Sequence, residues 1–240
     1  MFFAAVFIVA ILSGATATVV GFGIGSLMTP LLAIKFGTTT AVALVTVPHA
    51  AATAVRCWRL RAHVDRVVLV RFGLLSAAGA LAGAFIYTRL GPGALTRVLG
   101  GLLLLTAVAQ LTGWTSRWQP RGPVVALFGL LSGFFGGIAG NQGGLRSAAL
   151  TAFGLPPLAF VASATAIGLL VDAARTPVYL WHSGHVLRTL WAPIVVGTAG
   201  VLIGTLVGER ILLGLPPRRF GQIVGGAIGA LGIWMLLMPV

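Results

Sequence analysis

The sequence has very few acidic residues: Asp65, Asp172 and Glu209 stand against 16 lysines and arginines in 240 positions. Only 8% of the residues are charged and 58% are hydrophobic, so the chain cannot cover a globular domain with a water-facing surface. Hydrolytic chemistry that needs paired carboxylates is also hard to build from three acids in three separate segments. These shortages exclude a soluble protein and indicate an integral membrane protein.

Cysteine is nearly absent as well. Cys57 stands alone in the sequence, which excludes an intrachain disulfide and any metal site built from several cysteines. His182 and His185 have a metal-like spacing without a nearby acid or cysteine, so we expect no metal and no cofactor. The formal charge of +13 comes from basic residues between apolar runs, as in cytoplasmic loops, and we expect no nucleic-acid partner.

Long apolar runs are what the chain has in abundance, and they divide into about eight hydrophobic segments. Two of these runs, residues 2–34 and 122–153, lack charges over most of their length and are too long for one crossing. About 33 helical residues would reach about 50 Å, against a hydrocarbon core of about 30 Å. Both runs must bend, and each has glycines at which to do so, GFGIG at 21–25 and GGIAGNQGG at 136–144.

The second half of the chain repeats the first. A shift of 119 residues places Gly21 on Gly140, Thr46 on Thr165 and Arg56 on Arg175, and this order of matches is expected from a duplication. The predicted repeats are residues 1–115 and 120–240. Pairs spaced G-x-x-x-G, Gly79 with Gly83 and Gly200 with Gly204, indicate close helix packing in both.

The fold class predicted from these features is an all-α integral membrane protein in which each repeat begins with a glycine-broken, re-entrant helix hairpin. If each bent segment enters and leaves on one side, the halves have three crossings each and are inverted. If it crosses fully, the halves have four crossings and are parallel. The basic run between Arg56 and Arg71 is predicted to be cytoplasmic, and we favour inversion on the length of the bent segments.

Two polar stripes are predicted to face one interior. His49 and Arg56 lie seven residues apart on the second segment, and Asp172 and Arg175 lie three apart on the sixth, spacings that place each pair on one helical face. Ionisable groups in a bilayer are expensive unless they face protein or water, so these stripes indicate a central path. The alternative for Arg56 is a side chain that extends to the lipid headgroups.

Arg146 is the strongest single candidate for substrate binding. It follows Gly143 and Gly144 at the start of the predicted returning half-helix, where free backbone N–H groups and the helix dipole favour an anion. A guanidinium there suits a carboxylate or a sulfur oxoacid; the alternative is a structural pair with Asp172. The candidate substrate-binding residues are Gly21, Gly23, Gly25, His49, Gly140, Asn141, Gln142, Gly143, Arg146, Asp172 and Arg175.

At these glycine-rich segments the chain resembles the sulfite exporter TauE/SafE family, also called the TSUP transporters. The resemblance rests on GFGIG at 21–25, Pro30, SGFFG at 132–136 and the overall length, and it covers essentially the whole chain. Residues 140–149 depart from the usual continuation, which indicates a divergent branch. The resemblance implies export of sulfite or an organosulfur anion.

We therefore expect a multi-pass transporter of the inner or plasma membrane that moves a small anion by alternating access around a site at the membrane midplane. The alternative is an intramembrane enzyme acting on a lipid or phosphate-containing substrate. The lipid bilayer and a small anionic substrate are the expected partners, and a homodimer is left open.

Overall fold

A computed structural model of the chain describes residues 1–113, 122–141, 143–212 and 217–238, except for the side chains of 209–212 and 217–220. Every regular element in these ranges is helical. The helices are α1 (Phe2–Val20), α2 (Ile24–Phe36), α3 (Thr38–Leu60), α4 (Arg66–Tyr87), α5 (Pro92–Thr112), α6 (Pro123–Ala139), α7 (Gly143–Leu150), α8 (Pro157–Thr189), α9 (Trp191–Leu212) and α10 (Pro217–Leu237).

Six helices within the described ranges are long and apolar enough to cross a membrane: α1, α3, α4, α5, α8 and most of α9. The sixth apolar segment does not end at its charged residues: α8 continues through Asp172 and Arg175 to Thr189. It can do so because both side chains are buried in contact with each other, so neither faces lipid.

The first long apolar run is broken at residues 21–23. Gly21 and Gly23 have φ angles of 84° and 134°, which side-chain-bearing residues rarely adopt, so the break needs glycine at these positions. After the break α2 runs back along α1, because the Phe36 ring at its end lies 5.7 Å from the Phe2 ring at the start of α1. The chain therefore forms a helical hairpin of unequal arms.

The second long run has a matching break after α6. Gly140 ends α6 with a φ of 70°, and α7 begins at Gly143. Ala149 and Leu150 at the end of α7 lie in one apolar cluster with Val125 and Phe128 from the start of α6. This segment also reverses direction, although its re-entry into a bilayer stays a prediction.

The two hairpins open toward opposite ends of the bundle. We call the end with the turn at residues 61–65 the basic end, and the end with Gly37 the far end. The α1–α2 hairpin opens at the far end, since α3 starts there directly after α2. The α6–α7 hairpin opens at the basic end, because Leu150 packs with Val68 and Phe72 from the start of α4.

Glycines let two pairs of helices touch backbone to backbone. A Cβ atom on Gly79 or Gly83 of α4 would strike the main chain of α6, and one on Gly204 of α9 would strike the main chain of α1 at Ile11. The close packing predicted for the G-x-x-x-G pairs is confirmed. Residues 114–121, where the two predicted repeats meet, lie outside the described residues, and the division into repeats 1–115 and 120–240 stays a prediction.

Gly133→Ala should lower the thermal midpoint of the purified protein, because a Cβ at Gly133 would strike the Ser76 backbone of α4. Overpacking of this kind costs about 1–3 kcal/mol, more than the helix propensity that alanine adds. The matched control is Gly101→Ala on the exposed face of α5, where no atom lies within 4 Å. Equal midpoints for the two variants would contradict the packing described.

Candidate anion-binding site

The two helix breaks contact each other in the interior. The Ser26 hydroxyl near the start of α2 donates to the Asn141 side-chain oxygen at 3.2 Å. Gly25 lies so close to the Gly140 carbonyl that a Cβ could not be accommodated, and a Cβ on Gly143 would strike Phe22. Backbone released from helical hydrogen bonding is thus gathered at one place inside the protein.

Arg146 is buried beside this contact with most of its hydrogen-bonding capacity unused. It lies in the first turn of α7 and is 3% exposed. One terminal nitrogen, Nη2, donates to the Gly21 carbonyl at 3.2 Å, whereas Nε and Nη1 have no partner. The side-chain nitrogen of Asn141, also buried, has no partner either. Each unsatisfied buried donor costs about 1–3 kcal/mol, and more when it is charged.

Arg175 is by contrast fully engaged with Asp172. The Asp172 oxygen Oδ1 accepts from Nε and Nη2 of Arg175 at 3.1 and 2.8 Å, and Arg175 Nη1 donates to the Gly136 carbonyl at 2.8 Å. The other carboxylate oxygen lies 2.6 Å from Nδ1 of His49. Asp172 therefore pairs with Arg175 and not with Arg146, the partner considered above, and His49 joins the two stripes.

Arg56 is buried rather than extended to the headgroups. It is 4% exposed, and its Nε donates to the Thr165 hydroxyl at 3.1 Å while Nη1 has no partner. Among the described side chains, the buried charged groups are Arg56, Arg146, Arg175 and Asp172. Three guanidinium groups against one carboxylate leave two positive charges uncompensated. We call His49, Arg56, Asn141, Arg146, Asp172 and Arg175 the central cluster.

The two ends of the bundle differ in access. A cavity of about 420 Å³ lies at the basic end and is lined by Arg56, Arg59, Leu60, Pro157 and other residues of α1, α8 and α9. Toward the far end the buried rings of Tyr87 and Tyr179 lie 4.5 Å apart. Their hydroxyls donate to the carbonyls of Thr39 and Gly137 respectively. In this conformation the tyrosine pair occupies the far end while the basic end is open.

Most of the sequence-predicted candidates converge on this region. Gly21, Gly25, Gly140, Asn141 and Gly143 form the contact between the breaks, and His49, Arg146, Asp172 and Arg175 lie beside it. A Cβ on Gly23 would instead strike the Thr16 side chain of α1, which is not part of the central cluster. Gln142 lies outside the described residues.

Sequence reasoning missed Ser26, Thr205 and Tyr87. Ser26 and Thr205 carry no signal in the sequence, because isolated hydroxyl side chains are common in transmembrane helices and bond to their own backbone. For Tyr87 the sequence holds a weak signal, since it is one of two tyrosines in the chain.

A family model described as Sulfite exporter TauE/SafE matches residues 6–235, nearly the full length of the chain. The chain belongs to the TauE/SafE family. Comparisons with curated proteins and with solved structures gave no match.

Membership in the TauE/SafE family makes the chain a multi-pass membrane transporter, in agreement with the six candidate spans found among the described residues. The family implies an exporter-type transporter for sulfite or another anion, and its members are transporters rather than enzymes.

Removing the Arg175 side chain of α8 should lower the stability of the protein, whereas removing the Arg146 side chain of α7 should not. Arg175→Ala leaves Asp172 without its guanidinium, so we expect a stability loss of about 3–5 kcal/mol. Arg146→Ala removes a charge with one hydrogen bond and two unsatisfied nitrogens, and we expect little loss or a gain. Thermal unfolding in detergent, in buffer free of oxyanions, measures both. An equal loss in the two variants would contradict the distinction.

Proposed function

We propose that the chain exports a small anion, sulfite or an organosulfur or carboxylate anion, across the inner or plasma membrane by alternating access around the central cluster. The observation that carries this proposal is the buried Arg146 guanidinium with two unpartnered nitrogens at the contact of the two helix breaks. An oxyanion bound there would accept from these nitrogens and from the free side-chain nitrogen of Asn141.

The charge imbalance supports an anionic substrate. A buried guanidinium without a counter-ion costs several kcal/mol, and Asp172, the buried acid among the described side chains, is already engaged by Arg175 and His49. A bound anion would offset this cost. The first turn of α7 adds favourable backbone dipoles on the same side as Arg146.

The direction of the two hairpins supports inverted repeats. The α1–α2 hairpin opens at the far end and the α6–α7 hairpin at the basic end, as expected when halves 1–115 and 120–240 are related by an axis in the membrane plane. The packing partners also exchange: α1 of the first half packs on α9, and α6 of the second half packs on α4. A substrate site at the interface of such halves is the usual place in transporters of this kind.

The difference between the two ends supports alternating access from the cytoplasm. Arg59, Arg61 and Arg66 surround the basic end, which is expected to face the cytoplasm. With the cavity at this end and the tyrosine pair across the far end, the conformation fits a cytoplasm-facing state ready to load substrate. Opening of the far end would require Tyr87 and Tyr179 to leave their carbonyl partners.

The enzyme alternative has less support from the site. A hydroxyl nucleophile activated by a His–Asp pair needs the hydroxyl and the carboxylate on different nitrogens of the imidazole. Here Asp172 and the Thr53 hydroxyl both face Nδ1 of His49, at 2.6 and 3.4 Å. The arrangement suits a structural link between α3 and α8 and not proton relay to Thr53.

Binding should depend on Arg146. We expect sulfite to raise the thermal midpoint of the wild type, Arg146→Ala to abolish this rise, and Arg146→Lys to retain part of it, because lysine keeps the charge but loses the planar fork of donors. Arg97→Ala, an exposed arginine on α5, is the matched control and should keep the full rise. Equal stabilisation of the wild type and Arg146→Ala would refute the proposed role.

Transport should be driven by membrane potential without a coupling ion, since Asp172 is held structurally by Arg175 and His49. Expelling a monoanion from a negative interior gains about 2.3 kcal/mol per 100 mV. Reconstituted vesicles with a positive interior, and no pH or sodium gradient, should therefore accumulate the anion, and vesicles with Arg146→Ala should not. Transport that appears only with a proton gradient, and that Asp172→Asn destroys, would show that coupling runs through Asp172.

A further inference from the structure

We propose that the basic-end cavity is a second, outer anion-binding site, which holds an organic oxyanion with a short apolar body before it reaches the central cluster. The proposal rests on the proposed transport function and extends it by a second position on the path. Its basis is a cavity of about 420 Å³ whose lining includes two buried polar side chains with unpartnered atoms, Arg56 and Thr205.

Arg56 supplies the charge at the inner wall of the cavity. Its Nε is committed to the Thr165 hydroxyl, whereas Nη1 has no partner although the side chain is 96% buried. Arg59, one turn further along α3, is exposed and lines the same cavity. Two guanidinium groups lie on one wall, and no acid is found among the lining residues that the structure describes, which favours an anion.

Thr205 supplies a neutral donor from the opposite helix. It lies on α9, is 1% exposed, and its hydroxyl has no partner. A hydroxyl inside a transmembrane helix normally bonds to the carbonyl four residues earlier, as Thr16 and Thr18 of α1 do at 2.7 and 3.0 Å. Thr205 departs from this pattern, which leaves its hydroxyl free to donate to a ligand.

The remaining walls are apolar and define the rest of the ligand. Leu60, Pro157, Leu158 and Val161 line the cavity together with the polar groups. An inorganic oxyanion would leave this apolar surface uncovered, whereas a sulfonate or carboxylate with two to four carbons would bury it. The cavity therefore fits an anion with an oxygen-rich head and a short carbon chain.

The position of this cavity places the proposed site on the substrate path, between the basic end and the central cluster. Arg56 lines the cavity and bonds to Thr165 of α8, two turns before Asp172 on the same helix, so an anion bound at Arg56 lies about 10 Å from the central carboxylate. Adjacent sites of moderate affinity allow an ion to enter favourably and still leave. The same oxyanion chemistry is present in a phospholipid headgroup, and the experiment separates that source from the soluble anion.

The test uses propane-1-sulfonate as the probe and the full-length chain in uncharged detergent. In Arg146→Ala, which lacks the central guanidinium, propane-1-sulfonate should still raise the thermal midpoint while sulfite does not. Adding Thr205→Val should raise the half-saturating concentration about tenfold, as expected for loss of a hydrogen bond to a charged group. Adding Thr198→Val should leave it unchanged, because Thr198 also has an unpartnered hydroxyl on α9 but does not line the cavity.

A second measurement does not depend on the stability of Arg146→Ala. In a Cys57→Ser chain carrying Leu158→Cys, propane-1-sulfonate should slow reaction of the introduced thiol with a maleimide at least threefold, and Thr205→Val should remove this protection. Equal behaviour of Thr205→Val and Thr198→Val in both measurements would overturn the outer site.

To test whether a phospholipid headgroup occupies the cavity, the same thiol measurement is made in nanodiscs of phosphatidylcholine and in nanodiscs containing phosphatidylglycerol. Protection by the anionic lipid itself, dependent on Thr205 and insensitive to the sulfonate, would assign the cavity to a lipid phosphate and overturn the proposal. Failure of the outer site leaves sulfite binding dependent on Arg146, whereas failure of the proposed function removes that dependence and leaves the Thr205 effect in place.

Discussion

The contact between the two helix breaks is the constraint on which the site depends. Gly25 and Gly140 approach so closely that this contact could not form with a Cβ at Gly25. The Arg146 side chain bonds to the Gly21 carbonyl across the same contact, and Ser26 bonds to Asn141. Backbone freed from helix is tolerated inside a membrane protein where it lines a site, and here both freed segments share one.

Two buried arginines near this contact have different physical roles. Two nitrogens of Arg175 donate to one oxygen of the Asp172 carboxylate and the third donates to the Gly136 carbonyl, so Arg175 stabilises the packing of α8 against α6. Arg146 has one carbonyl partner and two nitrogens without a hydrogen-bond partner, so its burial lowers the stability of the protein in the absence of ligand. A site that is destabilising when empty is suited to binding an anion, because the ligand supplies the missing partners.

The two ends of the bundle differ, and the difference indicates from which end the central cluster is reached. The cavity reaches Arg56 from the basic end, whereas Tyr87 and Tyr179 are packed together and bonded to main-chain carbonyls toward the far end. In the proposed mechanism the approximate symmetry of the halves provides the other state, in which the far end opens and the basic end closes.

The sequence alone determined the class of protein and the elements that had to be unusual. Composition required a membrane protein, the charge-free runs around 21–25 and 136–144 required breaks, and helical spacing placed His49 with Arg56 and Asp172 with Arg175 on single faces. These inferences depend on local geometry and on the cost of charge in lipid, both of which can be read from residue order.

Only the tertiary structure decided which charges neutralise one another and which remain available. Helical spacing makes Arg175 a possible partner of Asp172, three residues away. His49 and Asp172 are 123 residues apart and Arg146 and Gly21 are 125 apart, so spacing could not show that His49 joins this pair or that Arg146 lies outside it. The cavity combines Thr205 with Arg56 from helices far apart in sequence for the same reason. Such pairings depend on how close the glycines allow whole helices to approach, a property of packing between segments and not of any segment by itself.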